Sequence, residues 1–433
     1  MPSILPTVGL GAVLLCRGAF GQTPAEPLKL TLADALERAR QYSQTVYTAG
    51  AAALAAHEDA VEAKAALLPS VSALSQFIYT QPNGTPSGVF VPNDGPRVYY
   101  EQANVHGDIL NPALRAQRRK ALAAEALAKA RSDLAVRGLV ATVTQDYYAM
   151  VVAARKAANA GRSLQEARDF QDLTEKQERG GEAARVDVVK ARLEVAQRER
   201  DLADARAALD KARIGFAVIL FPTYNQFFTV ADDLDSAAKL PALDEIRALA
   251  ANNSPDIRAA EAALEQQNSS LAAARAAYLP TLSVDYYFGI EANQLALHNP
   301  EGQNNAGSSV QASLNIPIFN WGANRSRVRQ AELQLELAKK DLSLAQRTLL
   351  SELESFYVEA RVAASQIASL RDSLSLAGEN LRLTRLRYTA GESTAQEVVD
   401  AQVTLVGARG AVDDGLARYR LALANLQTLT GAF

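Results

Sequence analysis

The chain has 433 residues, 48% of them hydrophobic and 21% charged, enough for two or three ordinary domains. With 45 Lys and Arg against 48 Asp and Glu the net charge is −3, and no basic block of the length that nucleic acid requires is present. The only cysteine, Cys16, excludes a disulfide framework, and after residue 22 no stretch approaches the roughly 20 apolar residues of a membrane-spanning helix.

Residues 8–15 (VGLGAVLL) read as the apolar core of a signal peptide over 1–21. Ala19-Phe20-Gly21 is a small-x-small cleavage site that leaves Gln22 as the mature start. The large Leu15 argues against lipid attachment at Cys16. The chain is therefore expected to be exported, with any membrane contact made by strands.

The first repeat spans 22–220. A helix is predicted over 31–68, with Thr31 as cap and Asp34 in the first turn. Strands follow at 70–80 and 97–110, the second alternating Ala103, Val105 and Ile109 with Gln102, Asn104, His106 and Asp108. A loop over 81–96 joins them. Asn111-Pro112 opens a long helix, 112–179, since Pro is tolerated in a first helical turn. Gly180 and Gly181 break it, and a return helix runs over 183–220. A non-helical linker, 221–241, leads into the second repeat.

That second repeat, 242–433, has helix 242–278, strands 281–291 and 308–318, a long helix 322–389 and a return helix 393–430. The duplication is visible residue by residue. At a shift of 211, Ser43 meets Ser254 and Leu68-Pro69-Ser70 meets Leu279-Pro280-Thr281. At 209, Ile109-Leu110-Asn111 meets Ile318-Phe319-Asn320; at 210, Gly181-Glu182 meets Gly391-Glu392. The second pair of strands alternates more cleanly. Leu282, Val284, Tyr286 and Phe288 interleave with Ser283, Asp285 and Tyr287, and Val310, Ala312, Leu314, Ile316 and Ile318 interleave with Gln311, Ser313 and Asn315. A loop over 292–307 joins them.

On the second long helix Val328, Leu335, Leu342, Leu349 and Phe356 recur every seven residues, with Ala331, Ala338 and Ala345 beside them. This is a coiled-coil seam. Leu337, Leu344 and Val358 form a second line off that seam, which implies neighbours on two sides. Four strands of about ten residues have the length of tilted membrane strands, yet they leave two open edges and cannot close, since the smallest membrane barrels use about eight. The expected fold is mainly α with a membrane β-barrel portion completed by other subunits.

In this plan the chain resembles the TolC-type outer-membrane factors. The likeness rests on the duplication, the Ala/Arg run into Leu279-Pro280, the crossover Pro317-Ile318-Phe319-Asn320-Trp321-Gly322, and the turn Arg387-Tyr388-Thr389-Ala390-Gly391-Glu392-Ser393 followed by Glu397-Val398-Val399-Asp400-Ala401. The resemblance implies a homotrimer with a twelve-stranded barrel, four strands per chain, and a helical tunnel in the periplasm. It implies a passive exit duct of a tripartite efflux pump or a type I secretion system. It also implies a periplasmic adaptor (membrane fusion) protein and an inner-membrane transporter as partners. Two departures stand out: the first half has Ile109-Leu110-Asn111-Pro112 in place of Pro-Ile-Phe, and Ser393 stands where many relatives carry a basic residue.

Three histidines, His57, His106 and His298, lie on different elements without metal-ligand spacing, and no nucleophile triad or phosphate loop is present. No catalysis, cofactor or metal is expected. Glu397 and Asp400 sit one turn apart on one helical face. From spacing alone they are acids that suit a helix start. The resemblance places them at the narrow mouth of the tunnel, with Asp187 as the repeat equivalent of Glu397 and Lys190 that of Asp400. It likewise makes the turns at Gly180, Gly181 and Glu182, and at Gly391, Glu392 and Ser393, the adaptor contacts. The alternative reading from another class is a periplasmic coiled-coil scaffold or adaptor without a barrel, which would have no need of lipid-faced strands.

Overall fold

A computed structural model describes residues 28–80, 97–223, 226–236 and 239–431. The signal segment with Cys16, and the loop 81–96, lie outside the described residues.

Strand β1 (Leu28–Leu30) leads into α1 (Leu32–Tyr42) and α2 (Gln44–Ala65). The Thr31 hydroxyl accepts from the Asp34 amide at 3.2 Å while the Asp34 carboxylate accepts from the Thr31 amide at 3.0 Å, a reciprocal cap. The helix expected over 31–68 is not continuous. Ser43 takes an extended backbone and its hydroxyl accepts from Val46 N at 3.3 Å, so it ends α1 and caps α2. The second repeat breaks at the matching place, between α5 (Leu243–Asn253) and α6 (Pro255–Ala276). There Pro255 holds Ser254 out of the helical region.

The long helices are α3 (Pro112–Gly180), 69 residues, and α7 (Ala323–Thr389), 67 residues, each about 100 Å at 1.5 Å per residue. Their return partners are α4 (Arg185–Leu220) and α8 (Ala395–Leu429). α7 and α8 meet at the Gly391 turn, and Thr394 caps α8. Nearer the strands the packing order is α2, α3, α6, α7; toward the turns it is α4, α3, α8, α7.

The linker holds a strand that the sequence does not announce, β4 (Phe228–Val230), which pairs in parallel with β1. The sheet of interest comprises β2 (Ser70–Tyr79), β3 (Arg97–Leu110), β5 (Thr281–Ala292) and β6 (Ala306–Asn315), antiparallel throughout in the order β2-β3-β5-β6. The strand expected over 308–318 ends at Asn315 instead, because Pro317 has no amide to donate to a ladder. Register puts Leu282 opposite Leu314 and Ser283 opposite Ser313, so each face keeps its own character across the pair. Gly289 lies so close to β3 that a Cβ there would stand 2.0 Å from the Glu101 carbonyl oxygen.

Three apolar clusters stack along the helices. At the level of the linker, Leu30, Val143, Tyr147, Phe216, Phe228 and Leu234 are buried together. A second cluster joins α5, α7 and α8 through Ile246, Leu353, Ala360 and Leu426. Near the turns Phe170, Ala191, Leu381, Tyr388 and Val398 are packed, with the Phe170 and Tyr388 rings edge-to-face at 5.1 Å. The α7 seam is inward as expected at Ala338 and Leu349, whereas Leu337 and Leu344 remain more than half exposed.

Candidate functional site: the helix turns and the linker clamp

Both turns lie at one end of the bundle, because the cluster around Phe170 and Tyr388 draws on α3, α4, α7 and α8 together. Each turn is a left-handed glycine exit. Gly181 has φ +79° and Gly391 has φ +76°, and the following amides of Glu182 and Glu392 reach back to Gln177 O and Arg387 O, both at 2.8 Å. This is the geometry for which glycine is favoured at a helix end. Gly180 precedes Gly181 as the last residue of α3, and the Ser393 hydroxyl lies 3.5 Å from Thr394 O.

Glu397 and Asp400 are exposed on the first two turns of α8. Glu397 closes a capping box with Thr394: its amide donates to Thr394 Oγ1 at 3.3 Å and its carboxylate faces the Thr394 hydroxyl at 3.3 Å. Arg387, from the other side of the turn, lies 3.9 Å from the same carboxylate and donates to Glu392 O at 3.1 Å. Asp400 accepts from Gln396 Nε2 at 2.9 Å. Within one chain, then, Glu397 performs the helix-start role and Asp400 does not. Asp187 is half-buried in the first turn of α4. Burial, reinforced by the Asp187 charge, pushes the Tyr388 phenol above its ordinary range.

A second cluster has no counterpart among the residues singled out from sequence. Arg155 of α3 grips the linker: Nε and Nη2 donate to the two Asp232 oxygens at 2.5 and 2.7 Å, and Nη2 also reaches Asp235 at 2.6 Å. Its Nη1 donates to Asp413 of α8 at 3.1 Å, and Asn159 Nδ2 donates to the same carboxylate at 2.8 Å. The Tyr147 hydroxyl donates to Ala231 O at 2.6 Å, and burial pushes the neighbouring Tyr148 phenol up to about 12. Arg155 in turn holds the Asp232 carboxyl below its ordinary value. A cavity of about 560 Å³ opens beside this clamp, lined by Arg155, Asn159, Asp232, Arg409 and Asp413. Farther down, the Glu166 carboxylate accepts from Arg409 at 2.7 Å, and its carbonyl accepts from Arg385 and Gln402 at 2.8 and 3.1 Å. The one hint of the clamp in the sequence is the run Asp232-Asp233-x-Asp235, which holds every acid of the linker.

Among the described residues no group of three or more His, Cys, Asp or Glu side chains is arranged to hold a metal ion, and no helix is long and apolar enough to cross a membrane. His57 pairs with Glu125 at 3.0 Å and His106 with Asp285 at 2.8 Å; His298 lies in a bridge to Asn304 in the loop after β5.

The model of the outer membrane efflux protein family matches residues 246–432. The cobalt-zinc-cadmium resistance protein CzcC of Cupriavidus metallidurans is 26% identical over 298 residues, 68% of this chain and 66% of that protein. The cation efflux system protein CusC of Escherichia coli K12 is 28% identical over 288 residues, 63% of this chain and 59% of its own length. The chain thus aligns with less than two thirds of each of these relatives. The crystal structure of the outer membrane protein VceC from Vibrio cholerae superposes with a TM-score of 0.80 at 18% identity, covering 92% of this chain and 96% of that one.

Proposed function

We propose, from the premise that this chain is a TolC-type member of the outer membrane efflux protein family, that three copies form an exit duct through the outer membrane. The duct is passive: its relatives are efflux components, and energy is supplied by an inner-membrane transporter reached through a periplasmic adaptor. The adaptor meets the turns at Gly181-Glu182 and Gly391-Glu392-Ser393. Glu397 and Asp400, with Asp187 behind them, ring the mouth.

One observation supports this reading above the others. The sheet is open at β2 and β6, and the helical layer is open at the same two ends, α2 and α4 on one flank and α7 on the other. Each open flank carries an apolar stripe at seven-residue spacing. On α2 these are Tyr47, Leu54 and Val61; on α7, Leu337 and Leu344, and lower down Leu376 and Leu383; on α4, Val186 and Leu193. All are exposed. Heptad stripes are the pattern by which helices pack side by side. Strand edges with unpaired amides need partners in the same way, and in a membrane only closure supplies them. Joining β6 and α7 of one copy to β2, α2 and α4 of the next meets both needs in one ring.

The test is a double variant, Leu54→Cys with Leu337→Cys, treated with a short bifunctional maleimide in native membranes. Dimer and trimer bands that need both cysteines are expected, with a species three times the chain mass in mild detergent. A chain that stays monomeric in buffer without detergent would overturn the proposal and favour the scaffold reading.

A further inference from the structure

At the corner where β6 gives way to α7, on the flank that the proposed closure brings beside the next copy, the single chain leaves large apolar side chains in the open. Ile318 is 91% exposed, Phe319 73% and Trp321 92%, and the Phe319 and Trp321 rings stack edge-to-face at 5.1 Å. Trp321 is also the one described non-glycine residue with positive φ, +54°. The corner is fixed in place rather than loose. Asn324 is buried and its Nδ2 donates to Ala277 O at the end of α6 at 3.1 Å. Aromatic rings at strand ends are the usual markers of a membrane–water boundary.

Directly after this corner α7 carries Arg325, Arg327 and Arg329, with no acid before Glu332. The first repeat does the same beyond β3: α3 carries Arg115, Arg118, Arg119 and Lys120, with no acid before Glu125. At a shift of 210, Arg115 meets Arg325 and Arg119 meets Arg329. Among the described residues none of the seven forms an ion pair, and Arg327 donates to the neutral Asn324 Oδ1 at 3.2 Å. All but Lys120 are exposed. Basic residues in the opening turns of a helix oppose its dipole, and neither helix has an acid in its first turn. Their placement is unfavourable for the helix alone and calls for an external anion.

We propose that the aromatic corner and the two basic helix starts form a lipid site, which takes the anionic headgroups of phospholipids in the periplasmic leaflet of the outer membrane. The proposal rests on the duct reading above. Phe319 and Trp321 sit at the level of the acyl boundary, and the arginines, one to two turns lower, reach the phosphates, to which guanidinium groups bind in bidentate fashion.

The experiment uses the full trimer, released from membranes in mild detergent and exposed to equal amounts of phosphatidylglycerol and phosphatidylethanolamine, with retained lipid read by native mass spectrometry. Phosphatidylglycerol should be retained about tenfold over phosphatidylethanolamine. Arg325→Gln, Arg327→Gln and Arg329→Gln together, or the four matching changes in α3, should abolish that preference. Gln keeps helix propensity and removes an adverse charge from the dipole, so folding should be spared. Phe319→Ser with Trp321→Ser should lower retention of both lipids. Equal retention of the two lipids by the unaltered trimer would overturn the proposal, and needs no variant. A rise in cation preference of the conductance on removing the arginines, with lipid retention unchanged, would place them in the lumen and also overturn it. A trimer that inserts but shows neither effect leaves the duct reading standing; a chain that never inserts removes both.

Discussion

Arg155→Met is the sharpest test of how the two repeats are tied together. The substitution replaces the aliphatic stem and deletes the guanidinium that Asp232, Asp235 and Asp413 share. Asp413 is the costly one: its side chain is 9% exposed, and without Arg155 it retains only Asn159. Removing one member of a buried ion pair costs about 3–5 kcal/mol. Asp232 and Asp235, 45% and 63% exposed, add little because water screens them. One surviving hydrogen bond and the adjoining cavity bring the expected loss to about 2–3 kcal/mol. This loss falls mainly on the contact between α3 and α8, so it is read by denaturant unfolding, while chymotrypsin cleavage at Phe228, buried until β4 leaves β1, reads the smaller share carried by the linker. A loss of about 2 kcal/mol raises the unfolded population about 30-fold, whereas cleavage at the linker should rise only about two- to fivefold. Arg371→Met removes only the exposed contact to Asp235 at 3.3 Å and should stay within about 0.5 kcal/mol. The pH dependence has a definite sign. Asp232 is held below its ordinary value, so its contribution is present above about pH 4 and lost as pH falls through the lowered value. Wild-type protection of the linker should therefore decline slightly below about pH 4, by the small share that a half-exposed pair carries. Equal cleavage of wild type and Arg155→Met at pH 7 would show that Tyr147 and apolar packing, not this guanidinium, hold the linker.

Glu397→Gln with Asp400→Asn deletes both carboxylates but preserves the cap, since Gln serves in a capping box; in planar bilayers cation preference should weaken while trimer yield holds, and unaltered selectivity would leave these acids as helix-start residues only. Asp187→Asn should shift selectivity less, because Lys190 lies one turn away. Leu314→Arg should reduce trimer yield more than Ser313→Arg, since a charge facing lipid costs roughly 2–4 kcal/mol and a lumen position stays wet; equal yields would reverse the assigned faces. Gly289→Ala should block sheet assembly, as its Cβ would fall 2.6 Å from Gln102 Cα, backbone that no rotamer change can relieve; heat-stable trimer from this variant would show that β3 and β5 can separate freely.

The long helices and the paired strands were legible because each is written in one period over many residues, seven for α7 and two for β5. What the period does not record was read less well. Ser43 breaks α1 from α2 through its own hydroxyl, a local event inside an unbroken apolar pattern. The alignment of Ser43 with Ser254-Pro255 held the clue, since Pro255 marks the same break openly. β1 and β4 are three residues each, about 200 apart, and no window joins them. The clamp draws Arg155 and Asn159 from α3, Asp232 and Asp235 from the linker and Asp413 from α8, so no single spacing spans it. Spacing puts Glu397 and Asp400 on one helical face and only the resemblance gives them a place at the mouth; once the side chains are placed they differ, Glu397 being spent on Thr394 while Asp400 has no part in the cap.

The duplication also bears on how a ring would close. Within the chain α3 lies against α6 and β3 against β5, which joins the first repeat to the second. On the proposed closure α7 against α2, and β6 against β2, is that same junction made between copies. Six repeats would then surround the axis, with alternate junctions inside a chain and between chains. The internal junctions have the linker, the parallel β1–β4 pair and the Arg155 clamp to hold them. Those between copies have only strand pairing and the apolar stripes. On that closure the large exposed side chains Tyr47 and Leu54 on α2, and Leu337 and Leu344 on α7, would be buried between copies. A junction without a covalent tether loses more entropy on forming, and larger apolar side chains supply the compensating burial.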